Sequence, residues 1–438
     1  MKQRDVFWFW LPLFASWLMM TAEGPIVSAA INRLPDEVIM LAAQGIIVSL
    51  SVTIESPIIN LLATSTALVK DRSSFLLMRR FTIHWMIFLT AVTIIIAFTP
   101  VFDLVVRRGL GAPEEIAVWV QPGLKIMTFW SAAIAWRRFL QGLLIHFNMP
   151  RKMAWGTAVR LVVSGGVVIG LAKFTQLPGA YIGSIALMVG VVAEAIYATI
   201  AVRPLLQNEL SVNAPLSTDA PLTYRDLFWF HLPLAGTSLL ILLVQPMVAF
   251  TLARLDKPVE SLAAWPLVFQ IMLMARAAAF ALPEAVISLT KGPETIRPVR
   301  RFTLNLAAVL TGLMALLIIS PLASYYIFTV QDMTRSVGNL ALSSLPYFAI
   351  LPALTAVSVW LRGLLITRRV TNDVNIGMFI NMGVTAVTLS VGLSFQLPGL
   401  PTAAIALNIA AVCEIMYLAW RTQRYFPIGL PMRLIVEN

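Results

Sequence analysis

The stretch FWFWLPL at residues 7–13 returns as FWFHLPL at residues 228–234, which is 221 positions further along the chain. The same separation relates RRFT at residues 79–82 to RRFT at residues 300–303. Two matches at one spacing indicate an internal duplication. Further pairs at this spacing, or at 220 residues near the end of each half, are Pro25 and Pro246, Arg33 and Arg254, Lys70 and Lys291, Gly142 and Gly363, Glu194 and Glu414, and Tyr197 and Tyr417.

The composition is too apolar for a protein that is covered by water. Of the 438 residues, 59% are hydrophobic and 12% are charged, and the mean hydropathy is +0.83. Soluble domains are about 45–50% apolar and about 25% charged. Lipid is therefore expected to cover much of the surface. Cys413 is the only cysteine, so an intramolecular disulfide and a thiolate metal cluster are both excluded.

Apolar runs of about 20 residues, the length of a membrane-spanning helix, recur along the whole chain. The sequence predicts an all-α polytopic membrane protein with 12 transmembrane helices. The predicted spans are 6–31, 39–69, 81–106, 116–145, 154–173, 179–202, 228–253, 261–290, 302–328, 337–367, 374–395 and 401–420. Because each half holds six spans, both halves enter the membrane from the same side, and the repeat is parallel.

The repeat also predicts the domains. Residues 1–206 would form an N-terminal lobe and residues 227–438 a C-terminal lobe, joined by a polar cytoplasmic linker at residues 207–226. The aromatic-proline phrase would begin each lobe, since aromatic side chains favour the membrane interface and proline kinks the first turns of a helix.

The net charge of +11 is interpreted as a topology signal. Nineteen basic residues fall on the side of the membrane that holds the termini, and seven fall on the other side. The positive-inside rule therefore places both termini in the cytoplasm. Binding of nucleic acid is not expected.

Two matched lobes around a central path favour a transporter that works by alternating access. A channel fits less well, because the sequence shows no segment that resembles a selectivity filter. Walker, HExxH and GxSxG motifs are absent, so no enzyme, catalytic residue, metal site or cofactor is expected. The energy would then come from a gradient, with H⁺ or Na⁺ as the coupling ion.

Short motifs in the first 75 residues resemble a known group of exporters. These motifs are Asn32-Arg33, LAAQG at residues 41–45, SLSVTIESP at residues 49–57 and Lys70-Asp71-Arg72. They are similar to those of the MATE-like exporters of the MOP superfamily, and within it to bacterial homologues of the progressive ankylosis (ANK) family. The glycine-rich loop signature of the major facilitators is missing.

The resemblance implies a monomeric secondary-active exporter in the inner membrane of a bacterium. Its substrate would be a small organic or phosphate-bearing anion of the pyrophosphate, nucleotide or citrate class. The alternatives are a MATE-type multidrug cation antiporter driven by H⁺ or Na⁺, a flippase for lipid-linked precursors, and a membrane receptor without transport.

Charged residues inside predicted spans are functional candidates because a charge costs about 2.5–3.5 kcal/mol at the centre of a membrane helix. Guanidinium groups bind carboxylate and phosphate oxygens in a bidentate fashion, so the basic residues favour an anion. The alternative role for Arg137 and Arg362 is snorkelling to lipid headgroups. The candidate substrate-binding residues are Arg137, Gln141, Arg362, Lys125 and Arg160.

The acidic candidates and one further arginine are assigned to coupling or gating. Glu23 in the first span is the candidate proton carrier, by resemblance to antiporters with a carboxylate in that helix. Glu55 and Arg276 occupy the same repeat position with opposite charge, which predicts a gate if they pair across the lobes. Glu284 lies beside a proline and lacks an acidic repeat partner. Glu194 and Glu414 recur in both halves and are expected to support the fold.

Overall fold

The computed structural model describes residues 3–147, 149–211, 222–290, 292–368 and 370–426. The regular structure in these ranges is entirely helical, so the all-α prediction is confirmed. Ten residues of the predicted linker, 212–221, lie outside the described ranges. The α-helices are α1 (Gln3–Ile31), α2 (Glu37–Glu55), α3 (Leu61–Leu68), α4 (Arg72–Phe98), α5 (Glu114–Ile126), α6 (Trp130–His146), α7 (Pro150–Phe174), α8 (Gly179–Gln207), α9 (Tyr224–Leu242), α10 (Val244–Leu252), α11 (Pro258–Phe280), α12 (Leu282–Leu289), α13 (Pro293–Ile319), α14 (Leu322–Tyr325), α15 (Arg335–Ser344), α16 (Leu351–Thr367), α17 (Thr371–Ser394) and α18 (Gly399–Tyr425).

Each predicted span coincides with one helix or with a pair of helices separated by a short break. Within the described ranges, ten helical segments are long and apolar enough to cross a membrane, and the bent pair α15–α16 makes eleven. The fourth predicted span is divided into α5 and α6, which have 13 and 17 residues. The structure therefore confirms the polytopic membrane fold class.

Several breaks lie at prolines, which cannot donate the helical N–H bond. The α2–α3 break contains Pro57 in a 3₁₀ turn. Pro283 is in the first turn of α12, directly after the α11–α12 break. The pair α15–α16 bends by 46° where Pro346 and Pro352 occur.

Two of the sequence motifs have structural roles. Asp71 caps α4, where its carboxylate accepts a hydrogen bond from the backbone N–H of Ser74 at 2.9 Å. The LAAQG motif lies on the packed face of α2, and its first three residues are buried. A Cβ atom on Gly45 would lie 2.6 Å from Cγ of Pro266, so only glycine fits at this position without a shift.

The chain forms two compact units. Unit 1 comprises residues 1–22 and 267–438, and unit 2 comprises residues 23–266. The predicted lobe boundaries, at 206 and 227, stay a prediction.

The repeated aromatic phrase makes equivalent hydrogen bonds in both units. In unit 1, Nε1–H of Trp10 donates to the backbone carbonyl of Ala278 at 2.9 Å. In unit 2, Nε2 of His231 lies 2.9 Å from the carbonyl of Pro57. Residues 10 and 231 are 221 positions apart, and so are residues 57 and 278. The phrase thus places a ring N–H on the same carbonyl of a broken helix each time.

His231 makes a second contact within unit 2. Its Nδ1 lies 2.9 Å from Oγ1 of Thr64 in α3, and the imidazole is fully buried. Nearby, Nδ2 of Asn60 donates to the carbonyl of Leu234 at 2.8 Å and to Oγ of Ser238 at 2.6 Å. Side chains therefore satisfy backbone groups around the α2–α3 break, as the interior of a membrane requires.

Candidate functional site

Unit 2 contains a buried group of charged and polar side chains from five helices. We call this group the unit 2 network. Its members are Glu23 of α1, Glu55 of α2, Arg137, Arg138 and Gln141 of α6, Arg160 of α7 and Glu194 of α8. The group unites five of the candidate residues with Arg138 and Glu194.

Glu194 is the centre of the unit 2 network. Its side chain is fully buried, and its Oε2 lies 2.6 Å from Nη1 of Arg137. Nε2 of Gln141 donates to its Oε1 at 3.0 Å. Arg137 and Gln141 are one helical turn apart, so they reach the same carboxylate. Nη1 of Arg160 lies 3.8 Å from Oε2 of Glu194.

Glu23 binds Arg160 through both carboxylate oxygens. Nε of Arg160 donates to Oε1 of Glu23 at 3.0 Å, and Nη2 of Arg160 donates to Oε2. Gly190 allows this approach, since a Cβ atom there would lie 2.9 Å from Cβ of Ser164 and 3.4 Å from Oε1 of Glu23. The guanidinium of Arg160 also lies 5.6 Å from the ring centroid of Trp130. Such bidentate geometry favours strong pairing.

Several buried polar atoms of this region have no hydrogen-bond partner among the described residues. They include Nε of Arg137 and Nε of Arg138, whereas the indole N–H of Trp130 is close enough to interact with the carboxylate of Glu55. Glu55 is electrostatically close to Arg137, Arg138 and Arg160. An unsatisfied buried polar group costs about 1–3 kcal/mol. A cluster of them is therefore a candidate binding site.

Unit 1 contains a smaller group, which we call the unit 1 group: Arg276, Thr355, Arg362, Asn381 and Glu414. Nε of Arg362 donates to Oε1 of Glu414 at 2.6 Å, and Nδ2 of Asn381 donates to its Oε2 at 2.9 Å. Nε of Arg276 donates to Oγ1 of Thr355 at 2.8 Å. Glu414 is 1% exposed.

The two groups are related by the repeat, but an arginine and an amide residue have exchanged positions between them. Gln141 corresponds to Arg362, and Arg160 corresponds to Asn381. Glu194 receives both its nearest guanidinium and its amide from α6, whereas Glu414 receives its guanidinium from α16 and its amide from α17. The signal in the sequence was the recurrence of the glutamate, which we interpreted as support for the fold alone.

The remaining candidates lie outside both groups. Lys125 is exposed, and its Nζ lies 5.2 Å from the ring centroid of Phe98. Glu284 is exposed in the first turn of α12. The polar side chains that the sequence did not single out are Trp130, Thr355 and Asn381, because neutral side chains in a helix do not differ in pattern from packing residues.

Comparison with protein-family models and with curated proteins finds no match. Solved structures do match. One is the inward-facing conformation of a multidrug resistance MATE family transporter of the MOP superfamily, with a TM-score of 0.74 at 13% identity over 98% of this chain and 100% of that chain. The lipid II flippase MurJ, in an inward closed conformation, matches with a TM-score of 0.70 at 12% identity, over 96% and 87%.

A third solved structure is a MOP superfamily transporter from Pyrococcus furiosus. It matches with a TM-score of 0.65 at 12% identity, over 98% of this chain and 96% of that chain. It is described as having a binding pocket of reverse polarity that suggests a different function. Identities of 12–13% establish the fold alone. The chain therefore has the fold of the MATE-type transporters of the MOP superfamily.

Proposed function

We propose that this protein is a secondary-active exporter that moves a small organic or phosphate-bearing anion by alternating access. The observation that supports this function best is a set of guanidinium groups with N–H donors that the described residues leave unused. They are Nε of Arg137 and of Arg138 in unit 2 and the terminal nitrogens of Arg276 in unit 1. Buried arginines inside membrane-spanning helices are expensive and usually serve a substrate or ion path. Their fork of donors matches carboxylate and phosphate oxygens.

The fold supports the transport part of the proposal. Its solved neighbours include a multidrug transporter and a lipid flippase, both of which move a solute across a membrane. The Pyrococcus furiosus transporter indicates that this fold tolerates pockets of different polarity. The ANK resemblance adds the substrate class of pyrophosphate, nucleotides or citrate as part of the proposal.

Residue roles follow from the two groups. Arg137, Gln141, Arg160 and Arg362 are proposed to bind or orient the substrate. Glu23, which pairs with Arg160, is proposed to exchange a proton when that pair opens, so that H⁺ or Na⁺ drives export.

A multidrug cation antiporter is the second candidate function. It is favoured by the unit 2 network, in which the three carboxylates of Glu23, Glu55 and Glu194 equal the arginines in number. A lipid flippase is the third candidate, and the likeness to MurJ favours it. In each case the expected location is the inner membrane of a bacterium, with both termini in the cytoplasm.

Flux into proteoliposomes tests the proposal. The purified protein would be reconstituted and supplied with labelled pyrophosphate, citrate, ATP or the cationic dye ethidium, with and without an imposed H⁺ or Na⁺ gradient. Gradient-dependent movement of an anion, but not of ethidium, is the expected result. Movement of ethidium alone would establish the multidrug alternative, and no movement of any compound would leave a flippase or a receptor.

A further inference from the structure

The repeat position that holds Glu55 in unit 2 holds Arg276 in unit 1, and this exchange changes the charge of the unit 1 group. If every side chain is ionised, the unit 2 network contains three arginines and three glutamates and is neutral. The unit 1 group contains Arg276 and Arg362 against Glu414 alone, so it has one uncompensated positive charge.

The uncompensated charge belongs to Arg276. The only carboxylate of the unit 1 group, Glu414, is already bound by Arg362 and Asn381. Among the described residues, no carboxylate lies within 4.0 Å of Arg276, and the charged groups that act on it within unit 1 are Arg362 and Glu414. Arg138 of unit 2 differs, since the carboxylates of both Glu194 and Glu55 act on it.

The guanidinium of Arg276 is held in one orientation. Its Nε donates to Thr355, and the Phe280 ring centroid lies 5.0 Å from its central carbon. The described residues provide no hydrogen-bond acceptor for its two terminal nitrogens. Two parallel N–H donors that are fixed in this way match one oxygen-rich anion.

We infer that the unit 1 group is the anion subsite of this protein, where the terminal nitrogens of Arg276, with the positive charge of Arg362 nearby, bind one carboxylate or phosphate group. The bound anion supplies the negative charge that Glu55 supplies in unit 2. This inference names the site of one anionic group of the substrate, and it rests on the proposed transport for its role in export. The same chemistry is offered by a soluble anion and by an anionic lipid headgroup.

Binding to the detergent-purified full chain tests the inference apart from flux. Thermal stabilisation and equilibrium binding of labelled pyrophosphate and citrate would be measured for the wild type, Arg276→Gln, Arg276→Lys and Arg301→Gln. We expect Arg276→Gln to weaken binding about tenfold or more, because charge-assisted hydrogen bonds are lost. Arg276→Lys keeps the charge but loses the fork, and it should restore binding only in part. Arg301→Gln removes an exposed arginine of the same unit and is the matched control.

A second experiment distinguishes a soluble anion from an anionic lipid headgroup as the ligand. Phosphatidylglycerol added to the micelles would stabilise the wild type, and not Arg276→Gln, if the ligand is a lipid headgroup. Without ligand, Arg276→Gln should unfold at the same temperature as the wild type or at a higher one, since it removes an unpaired buried charge. A large loss of stability would identify Arg276 as a structural residue and overturn the inference.

The outcomes separate the two proposals. Anion binding that depends on Arg276 in a protein without flux would retain the subsite and reject the exporter. Anion flux and binding that survive Arg276→Gln, and are lost in Arg138→Gln, would retain the exporter and place the anion in unit 2. Absence of binding by pyrophosphate, citrate and phosphatidylglycerol would reject the subsite.

Discussion

Glu194 and Glu414 show how a buried carboxylate is satisfied in two ways at one repeat position. Each lies on the last long helix of its half and accepts hydrogen bonds from one guanidinium and one amide. The amide comes from Gln141 in one case and from Asn381 in the other. What the position requires is a positive charge and a second donor, because an ionised carboxylate in a low-dielectric site is stable only when paired and hydrogen-bonded.

At this scale we predict that Arg137→Met destabilises the protein by about 3–5 kcal/mol, because it leaves the buried carboxylate of Glu194 without its nearest cation. Chemical unfolding in detergent micelles measures this change. The double variant Arg137→Met with Glu194→Leu should recover much of the loss, since the unpaired charge is gone. A double variant that is less stable than either single variant would contradict this account.

The ion pair between Arg107 and Glu114 is the exposed control. Nε and Nη2 of Arg107 each lie 2.8 Å from a carboxylate oxygen of Glu114, and this pairing lowers the pKa of Glu114. The pair lies outside the membrane-spanning segments, in water. Arg107→Gln should therefore change stability little, as is usual for exposed pairs.

The aromatic phrase acts at the scale of helices. In each unit a ring N–H reaches the carbonyl of residue 57 or residue 278, next to the break in a helix. We predict that Trp10→Phe and His231→Phe each lower stability by about 1–3 kcal/mol, because each leaves a buried carbonyl unsatisfied.

Trp8 and Trp229 provide matched controls for these two substitutions. They share one repeat position within the same phrase and are 59% and 60% exposed. Trp8→Phe and Trp229→Phe should leave the stability of the protein unchanged. Equal losses at the exposed and the buried positions would show that the ring N–H of the phrase has no special role.

Glycines bring helices together at two other related positions. A Cβ atom on Gly142 would lie 1.7 Å from Oγ of Ser65, and one on Gly363 would lie 2.8 Å from Cγ1 of Val286. The four residues are two repeat pairs, so α6 approaches α3 as α16 approaches α12. Close approach through small residues is typical of helix packing in membranes.

We therefore predict that Gly142→Ala and Gly363→Ala lower the unfolding temperature, with the larger effect at Gly142, where the added atom overlaps a neighbour. Gly166 and Gly383 are the controls, because nothing lies within 4 Å of their Cβ positions. Alanine there should be neutral or slightly stabilising, since glycine is a poor helix former. Thermal unfolding of the four variants, side by side, makes the comparison.

At the scale of the whole molecule, the proposed exporter needs a link between a gradient and the bound anion. Glu23 is bonded to Arg160, and Arg160 also approaches Glu194. A proton that neutralises Glu23 would weaken its pairing with Arg160 and free this guanidinium for other contacts. Arg160 is therefore the residue through which a proton on Glu23 would act on the unit 2 network.

We predict that Glu23→Gln keeps anion binding but loses the dependence of flux on a pH gradient. Parallel measurements of binding and of flux in proteoliposomes at symmetric and asymmetric pH would show this separation. Glu115→Gln, at an exposed position in the first turn of α5, is the control and should behave as the wild type. Gradient-dependent flux in Glu23→Gln would remove Glu23 from the coupling path.

The fold class follows from the amino-acid sequence alone. Long apolar runs can satisfy their backbone only as helices in lipid, and the 221-residue duplication requires two related sets of them. The sequence could also supply a list of charged candidates, because a charge in an apolar run stands out by composition alone.

The tertiary structure decided which of those charges meet. It joins Glu23 to Arg160 and Arg137 to Glu194 across more than 50 residues of sequence, and it leaves Lys125 exposed. It also shows that Asn381 donates a hydrogen bond to Glu414 and that Thr355 accepts one from Arg276. Periodicity gives the face of a helix but not the neighbour that this face contacts, since partners distant in the chain are chosen by packing.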